Sequence, residues 1–432
     1  MSRELRVYLD GVPIGILTQN NQGALGFGYH DDYLERSQPT PLSLSMPLRA
    51  GTYSPRVVRA FLDGLLPDNQ AVRERWGREF GVSPNNPFAL LQHVGRDAAG
   101  AVQILPASGS SDDAVIREGA VGWLSGDEFV VLVRELAQHR RDWAAGRVTG
   151  RWSLAGAQSK VALYRDPVSG AWGIPRDSTP TTHIVKPAIE GFDDHHINEV
   201  LCQRTASQLG LLAARSELVE VGDVRAIVSA RYDRIADGDG VLRRLHQEDL
   251  CQAMSVHPSQ KYQSEGGPGV GAVADLLVRL GLADRQVSSA RFFDGLAFNI
   301  LIGGTDAHAK NYSLMLSGGR AQLAPLYDLA SAVAYPSDKP LQSAMKVGRH
   351  WAMREISPSD WRSVGRRLGL GGDRAVERFV ALGRRLPSAL EQAVASLPSD
   401  TRDRAQRIAS QILEHADSLA LVGTTMSRGS GG

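Results

Sequence analysis

The stretch Asn299-Ile300-Leu301-Ile302-Gly303-Gly304-Thr305-Asp306-Ala307-His308-Ala309-Lys310-Asn311-Tyr312-Ser313-Leu314-Met315 decides how this chain is read. Apolar residues flank a polar loop that is entered through two glycines. Four residues separate Asp306 from Asn311. At that spacing an aspartate can face a substrate hydroxyl while an asparagine oxygen reaches a magnesium ion. In the bland alternative, Asp306 caps a turn and Asn311 bonds backbone. Short motifs match by chance, so the loop alone divides the two readings evenly.

Working outward, the same D-x-x-x-x-N spacing occurs in protein-kinase catalytic loops, and further elements follow in kinase order. Asp328 stands in the apolar frame Leu323-Ala324-Pro325-Leu326-Tyr327-Asp328-Leu329-Ala330-Ser331-Ala332. A carboxylate there needs a partner, and magnesium favours oxygen ligands such as Asp328 with Asn311. The competing reading makes Asp328 the N-cap of a helix over Leu329–Ala332. Upstream, Lys186 ends the apolar strand His183-Ile184-Val185, where it can pair with nucleotide phosphates, and Glu199 on the following helix can orient it. A lone lysine is otherwise a surface residue. Ser153-Leu154-Ala155-Gly156-Ala157-Gln158-Ser159-Lys160 runs small residues into a strand, so its amides could approach phosphates. Its spacing is not that of a Walker loop, and alone it is an ordinary turn.

The remaining pattern divides the chain. Leu5, Val7 and Leu9 alternate as in a strand, Asp10-Gly11 turns into Ile14–Leu17, and Phe27 and Tyr29 continue the period of two. Helices are expected from Ser54-Pro55, with serine as cap, from Asn86-Pro87, and from Ser125-Gly126-Asp127-Glu128, with a short strand at Ala101–Leu105. A boundary is expected near 140–150. Strands follow at Lys160–Tyr164, Ala171–Ile174 and His183–Lys186, then a helix near Asp194, then strands at Ser216–Val221 and Val224–Val228. Beyond Gly240 the chain reads as mainly helical apart from Gln322–Asp328. The expected domains are 1–145, a β-rich ATP-binding lobe at 146–240, a helical catalytic lobe at 241–425, and a flexible tail at 426–432.

Composition narrows the classes. The 432 residues are 42% hydrophobic and 22% charged, as in ordinary globular proteins. Lys plus Arg is 48 against 47 for Asp plus Glu, a net charge of +1, which gives little drive toward DNA or membranes. Cys202 and Cys251 form no Cys-x-x-Cys pair, so a thiolate metal or redox centre is not expected. The start lacks the apolar stretch of a signal peptide and no spanning helix is legible, so the expectation is a cytoplasmic protein with no membrane contact. Asp193-Asp194-His195-His196, with Asp306 and His308, could suggest a metal hydrolase. Sequence neighbours cannot all point at one ion, and no H-E-x-x-H spacing occurs.

These motifs, taken in order, resemble the HipA family, the serine/threonine kinase toxins of bacterial HipA–HipB toxin–antitoxin modules. The likeness includes Phe61-Leu62-Asp63-Gly64-Leu65-Leu66-Pro67-Asp68-Asn69, His93-Val94-Gly95-Arg96-Asp97-Ala98-Ala99-Gly100-Ala101-Val102-Gln103, Ser153–Gln158, Thr182–Lys186, Asn198-Glu199 and Arg231-Tyr232-Asp233-Arg234. It continues through His246-Gln247-Glu248-Asp249, Lys261-Tyr262, Gly266-Gly267-Pro268-Gly269, Thr305–Asn311 and Tyr327-Asp328. The resemblance implies an α+β, kinase-like bilobal fold related to phosphatidylinositol kinases, with a small α+β N-terminal domain and a helical C-terminal lobe. It implies ATP and Mg2+ as cofactors, Asp306 as general base and Asn311 and Asp328 as metal ligands. Lys186, Glu199, Tyr232, Ser153, Ala155, His308 and Tyr327 would attend the nucleotide, and Ser153 would be autophosphorylated. The implied substrate is an aminoacyl-tRNA synthetase, first the glutamyl enzyme, with growth arrest and persistence as the outcome. The implied partner is a HipB-like helix-turn-helix antitoxin that carries the operator DNA. An inactive, kinase-like co-repressor is the alternative, and intact base and metal positions weigh against it. Ala230, where the family has an acidic residue, and Ser159, also acidic there, depart from the pattern.

Overall fold

In a computed structural model, residues 3–108, 111–115, 119–138, 153–156, 158–189 and 191–419 are described. The expected boundary at 140–150 and the expected tail at 426–432 lie outside them. The chain forms two compact units. The first takes residues up to Pro187, Val219–Ser259 and Leu314–Arg320; the second takes Ala188–Leu218, Gln260–Ser313 and the residues from Ala321 onward.

The first unit begins with a five-stranded antiparallel sheet in the order Thr52–Tyr53, Leu25–Tyr29, Val12–Gln19, Arg3–Leu9, Val102–Pro106. The period of two turns Leu5, Val7, Leu17 and Phe27 into one buried face. Helix Pro55–Leu65 buries Val58, Phe61, Leu62 and Leu65. Ser54 precedes it but its side chain makes no cap hydrogen bond, contrary to the capping expected of it; proline at the first position already removes one free amide. Asn86 does cap helix Pro87–Val94, and Ser125 and Glu128 bond reciprocally at the start of helix Gly126–Gln138.

A second sheet carries the phosphate-side candidates. Strand His183–Pro187 is internal, with Val224–Ala230 on one side and Val161–Arg165 on the other. An internal strand shields both its edges and most of its side chains from water, which is why its residues read as an apolar run.

The second unit is built on helix Leu282–Ile302, whose last eleven residues, Phe292–Ile302, are all buried. Helices His195–Gln208, Pro358–Arg367, Gly372–Ala395 and Arg402–Asp417 belong to the same unit. After Gly240 helix outweighs strand, as expected, but short strands are present that the sequence pattern does not mark. Strands occur at Leu242–Arg244, His246–Asp249, Ser313–Ser317, Arg320–Leu323, Gln342–Val347 and His350–Ala352. Each has three to six residues, too few for a period of two to stand out.

Candidate active site

Helix Leu282–Ile302 ends in a Schellman turn. Gly303 adopts φ 69°, its N–H donates to Ile300 O at 3.2 Å, and Gly304 N–H donates to Asn299 O at 2.7 Å. A Cβ on Gly303 would stand 2.5 Å from Val333 Cγ1, and one on Gly304 would stand 2.5 Å from Asn299 Oδ1. Only glycine fits either position, so the chain is turned sharply out of the helix into Thr305-Asp306.

The loop is then closed on itself. His308 N–H and Asn311 Nδ2 both donate to Asp306 O at 2.8 Å. That bond is the backbone contact foreseen in the bland reading of Asn311. It also engages the amide nitrogen, which leaves Oδ1 as the atom able to ligate a cation. Asp306 is exposed, and its Oδ1 accepts from the Tyr262 hydroxyl at 2.5 Å. His308 is buried, and burial, against the opposing pull of Asp306, holds its imidazole below the ordinary range. Its Nδ1 is buried without a hydrogen-bond partner.

Asp328 comes to this loop through its neighbours. The Tyr327 hydroxyl donates to Lys310 O at 2.7 Å and lies 2.7 Å from Ser313 Oγ, bracketing Asn311-Tyr312. Ser331 Oγ donates to Ile302 O, and Ala332 N–H donates to Gly303 O at 3.0 Å, at the helix end from which the loop departs. Asn198 grips Ser331 twice, donating from Nδ2 to its carbonyl at 2.7 Å and accepting its N–H at 2.9 Å. Asp328 itself has φ 52°, and no helix follows it. The N-cap reading is therefore overturned. A non-glycine residue in the left-handed region is strained and is kept where surrounding contacts over-determine it. An amide oxygen and a carboxylate are hard donors, and that chemistry fits magnesium.

Lys186 and Glu199 fall in different units. Lys186 is 6% exposed on the internal strand, its Cα opposite Ile227, so it is not the surface lysine of the bland reading. Glu199 is buried on helix His195–Gln208. Tyr232, in the turn after strand Val224–Ala230, donates its hydroxyl to Gln247 Oε1.

Ser153–Gly156 is tied to residues far away in sequence. Ser153 is completely buried, its hydroxyl donates to Leu65 O at 2.7 Å, and its N–H donates to Asp97 O at 3.0 Å. Asp68 N–H donates to Gly156 O at 3.1 Å, and Lys160 Nζ donates to Ala155 O at 2.6 Å. Ala155 is half-buried, and Gly156 has φ 108°, with Lys160 Nζ 2.3 Å from where a Cβ would be. Ala157 lies outside the described residues.

One cluster escaped the sequence reading. Arg231, Arg234 and Arg244 surround Asp97 at 3.2, 2.8 and 2.8 Å, and Arg231 also pairs with Asp233 at 2.9 Å, all five side chains being buried. Burial pushes the carboxyl of Asp97 up, but the guanidiniums of Arg234, Arg244 and Arg231 outweigh it and hold the group well below the carboxylate range. Gly100 N–H donates to Asp233 Oδ2 at 2.7 Å. The cluster thus accounts for Asp97 and Gly100 in one motif and Arg231-x-Asp233-Arg234 in another, and it anchors the turn that carries Tyr232. The signal available in sequence was two Arg/Asp-rich motifs set among apolar strands. Tyr262, Asn198 and Ser331 likewise carry no signal in the sequence that singles them out.

Among the described residues no three His, Cys, Asp or Glu side chains gather to hold a metal. Asp194 instead pairs with Arg404 at 3.0 Å. Nor is any described helix long and apolar enough to cross a membrane.

Comparison with known proteins agrees with this layout. The family model described as HipA N-terminal domain matches residues 5–105, and that described as HipA-like C-terminal domain matches residues 152–414. The chain is 37% identical over 404 residues to the Y4mE protein of Sinorhizobium fredii, with 93% of each chain covered. It is 30% identical over 383 residues to the serine/threonine-protein kinase toxin HipA of Shewanella oneidensis, covering 85% of this chain and 84% of that one. A chain in the solved complex of Shewanella oneidensis HipA, HipB and operator DNA matches with a TM-score of 0.80 at 25% identity, over 96% of both chains. The mixed helix-and-strand, kinase-like fold implied by the family resemblance is the one the chain adopts. Family models across both parts and a relative matched over nearly its whole length agree: the chain belongs to the HipA family of serine/threonine kinase toxins.

Proposed function

We propose that this chain transfers the γ-phosphate of ATP to a serine or threonine hydroxyl on an aminoacyl-tRNA synthetase, the glutamyl enzyme first, and so arrests translation. The observation that carries the reading is the stitching of strained Asp328 to the loop holding Asp306 and Asn311. Phosphoryl transfer asks little covalent chemistry of the protein and much positioning. Asp306 accepts the proton of the attacking hydroxyl. Asn311 and Asp328 would hold magnesium, which when bound neutralises charge on the phosphates of ATP. Lys186 is the residue that pairs with those phosphates in this reading, and Glu199 is assigned to nucleotide binding with it. His308, with its buried Nδ1 unpartnered, and Tyr327, Tyr232 and Ala155 attend the nucleotide.

Ser153 is the autophosphorylation site in this reading. The antitoxin partner is a HipB-like helix-turn-helix protein, since the Shewanella oneidensis HipA chain was solved together with HipB and operator DNA. Phosphoproteomics of cells expressing the chain tests the reading against cells expressing Asp306→Ala. New phosphoserine or phosphothreonine on a translation component should appear with the intact chain alone. Identical phosphoproteomes would favour the co-repressor reading instead.

A further inference from the structure

Lys261-Tyr262 and Gly266-Gly267-Pro268-Gly269 carry no role in the chemistry above, yet they form a clamped turn against the Asp306 loop. The Tyr262 hydroxyl donates to Asp306 Oδ1 at 2.5 Å, and its ring packs edge-on against His308 with centroids 4.8 Å apart at 79°. The backbone beneath it is fixed from several sides. Ala309 N–H donates to Lys261 O at 3.3 Å, which ties the turn to the loop it serves. Tyr262 O accepts from Glu265 N–H at 3.0 Å and Gly267 N–H at 2.9 Å. Gln263 Oε1 accepts from Lys346 N–H at 2.8 Å, on strand Gln342–Val347.

The glycines are steric necessities of this turn. A Cβ on Gly267 would stand 2.0 Å from Gln260 O and 2.7 Å from Tyr262 O. One on Gly269 would stand 2.3 Å from Gln263 Cδ, and Gly266 has φ 90°. The turn is therefore built around one outcome, the placement of a phenol on an exposed carboxylate.

An exposed aspartate on a loop is otherwise free to rotate about χ1 and χ2, and a base that wanders by an ångström can lose about a hundredfold in rate. A neutral phenol restrains the carboxylate without cancelling its charge, as a lysine would. We infer that Tyr262 is a positioning residue for phosphoryl transfer: its hydroxyl holds Asp306 through Oδ1 and so presents Oδ2 to the acceptor hydroxyl. In the step itself the acceptor oxygen bonds the γ-phosphorus of ATP. The bond from that phosphorus to the β–γ bridging oxygen breaks, with its electron pair leaving on ADP. The acceptor's proton passes to Asp306 Oδ2, and the proton of Tyr262 stays on the phenol throughout.

This inference rests on Asp306 as the base, and the experiment separates the two. The full chain is prepared as wild type, Tyr262→Phe and Asp306→Asn. With 13Cζ-labelled tyrosine and no nucleotide, the Tyr262 resonance, assigned by its absence in Tyr262→Phe, should shift in Asp306→Asn. No shift would mean that the bond does not exist in solution and would end the inference. In phosphoryl transfer with ATP and magnesium, Tyr262→Phe should lower kcat roughly tenfold or more while KM for ATP stays unchanged. An unchanged kcat overturns the positioning role. So does a raised kcat, which would make the phenol an obstacle to the acceptor, and so does a matching rise in KM, which would mean general disruption. Full turnover by Asp306→Asn would instead remove the base assignment itself.

Discussion

The hydroxyl of Ser153 donates to the backbone carbonyl of Leu65 at 2.7 Å, with the serine wholly out of solvent. A phosphate cannot be added to that oxygen, or kept on it, in this arrangement, because it would bring roughly −1.5 to −2 charge into a site with no solvent. Modification at Ser153 therefore requires the Ser153–Gly156 segment to leave Leu65, Asp97 and Asp68. After incubation with magnesium and ATP, mass spectrometry should find phosphate on Ser153. Hydrogen exchange over 153–156 should then rise and ATP affinity should fall. A phosphorylated chain with unchanged exchange and affinity would sink the idea.

Asp306→Ala should lower phosphoryl transfer by at least about two orders of magnitude, the scale of a positioned acid–base group. Asp328→Asn should do the same, and it is the sharper test of charge. Asparagine tolerates the left-handed backbone that Asp328 adopts at φ 52°, so the fold stays while the carboxylate goes. Circular dichroism should match wild type in both. Retained activity in either removes that residue from the machinery.

Asp97→Ala should destabilise the first unit by about 3–5 kcal/mol, since it leaves Arg231, Arg234 and Arg244 buried with Asp233 as the remaining carboxylate of the cluster. The urea midpoint should fall accordingly. Removing one partner of a buried ion cluster costs far more than the cluster contributes when intact, so a loss under about 1 kcal/mol would mean that water reaches these side chains.

Glu248 predicts a pH dependence. Burial pushes its carboxyl up to about 8, against the pull of the Leu44 N–H and the Ser43 hydroxyl. Between its ordinary value of 4.5 and about 8 the folded chain holds a proton that the unfolded chain has released. Its stabilising effect is therefore complete at low pH and is lost as pH rises through that window. Glu248→Gln, which mimics the protonated acid, should be as stable as wild type near pH 5 and more stable near pH 8.5. Thermal melts at the two pH values check this; parallel losses for both proteins would place the dependence elsewhere.

Purified alone, the chain should bind its own promoter fragment only weakly. A net charge of +1 gives little electrostatic drive toward DNA, so tight operator binding is not expected of the chain by itself. Gel-shift titrations at two salt concentrations, with and without the antitoxin, decide it. Tight sequence-specific binding by the chain alone would contradict the expectation.

Much of this architecture is legible in the residues themselves. Alternation at Leu5, Val7 and Leu9 and the apolar run before Lys186 mark strands, because side-chain periodicity is a local property. Gly303-Gly304 marks the exit from a buried helix, because a left-handed turn excludes a Cβ. The spacing of Asp306 and Asn311 and the order of the motifs likewise need no third dimension.

Other features depend on residues that meet only after folding. The short strand Ser313–Ser317 lies beside His246–Asp249, a partner remote in sequence that no local pattern reveals. Whether Asp328 capped a helix or was forced into strain depended on Tyr327, Ser331 and the end of a distant helix. Asp97 meets Arg231 across 134 positions, Ser153 meets Leu65 across 88, and Tyr262 meets Asp306 across 44. Sequence alone determined which residue types were present and which local shapes they favour. Only the tertiary structure decided which buried polar atoms satisfy one another, because a hydrogen bond or ion pair is chosen by proximity in space and by the cost of leaving it unmade.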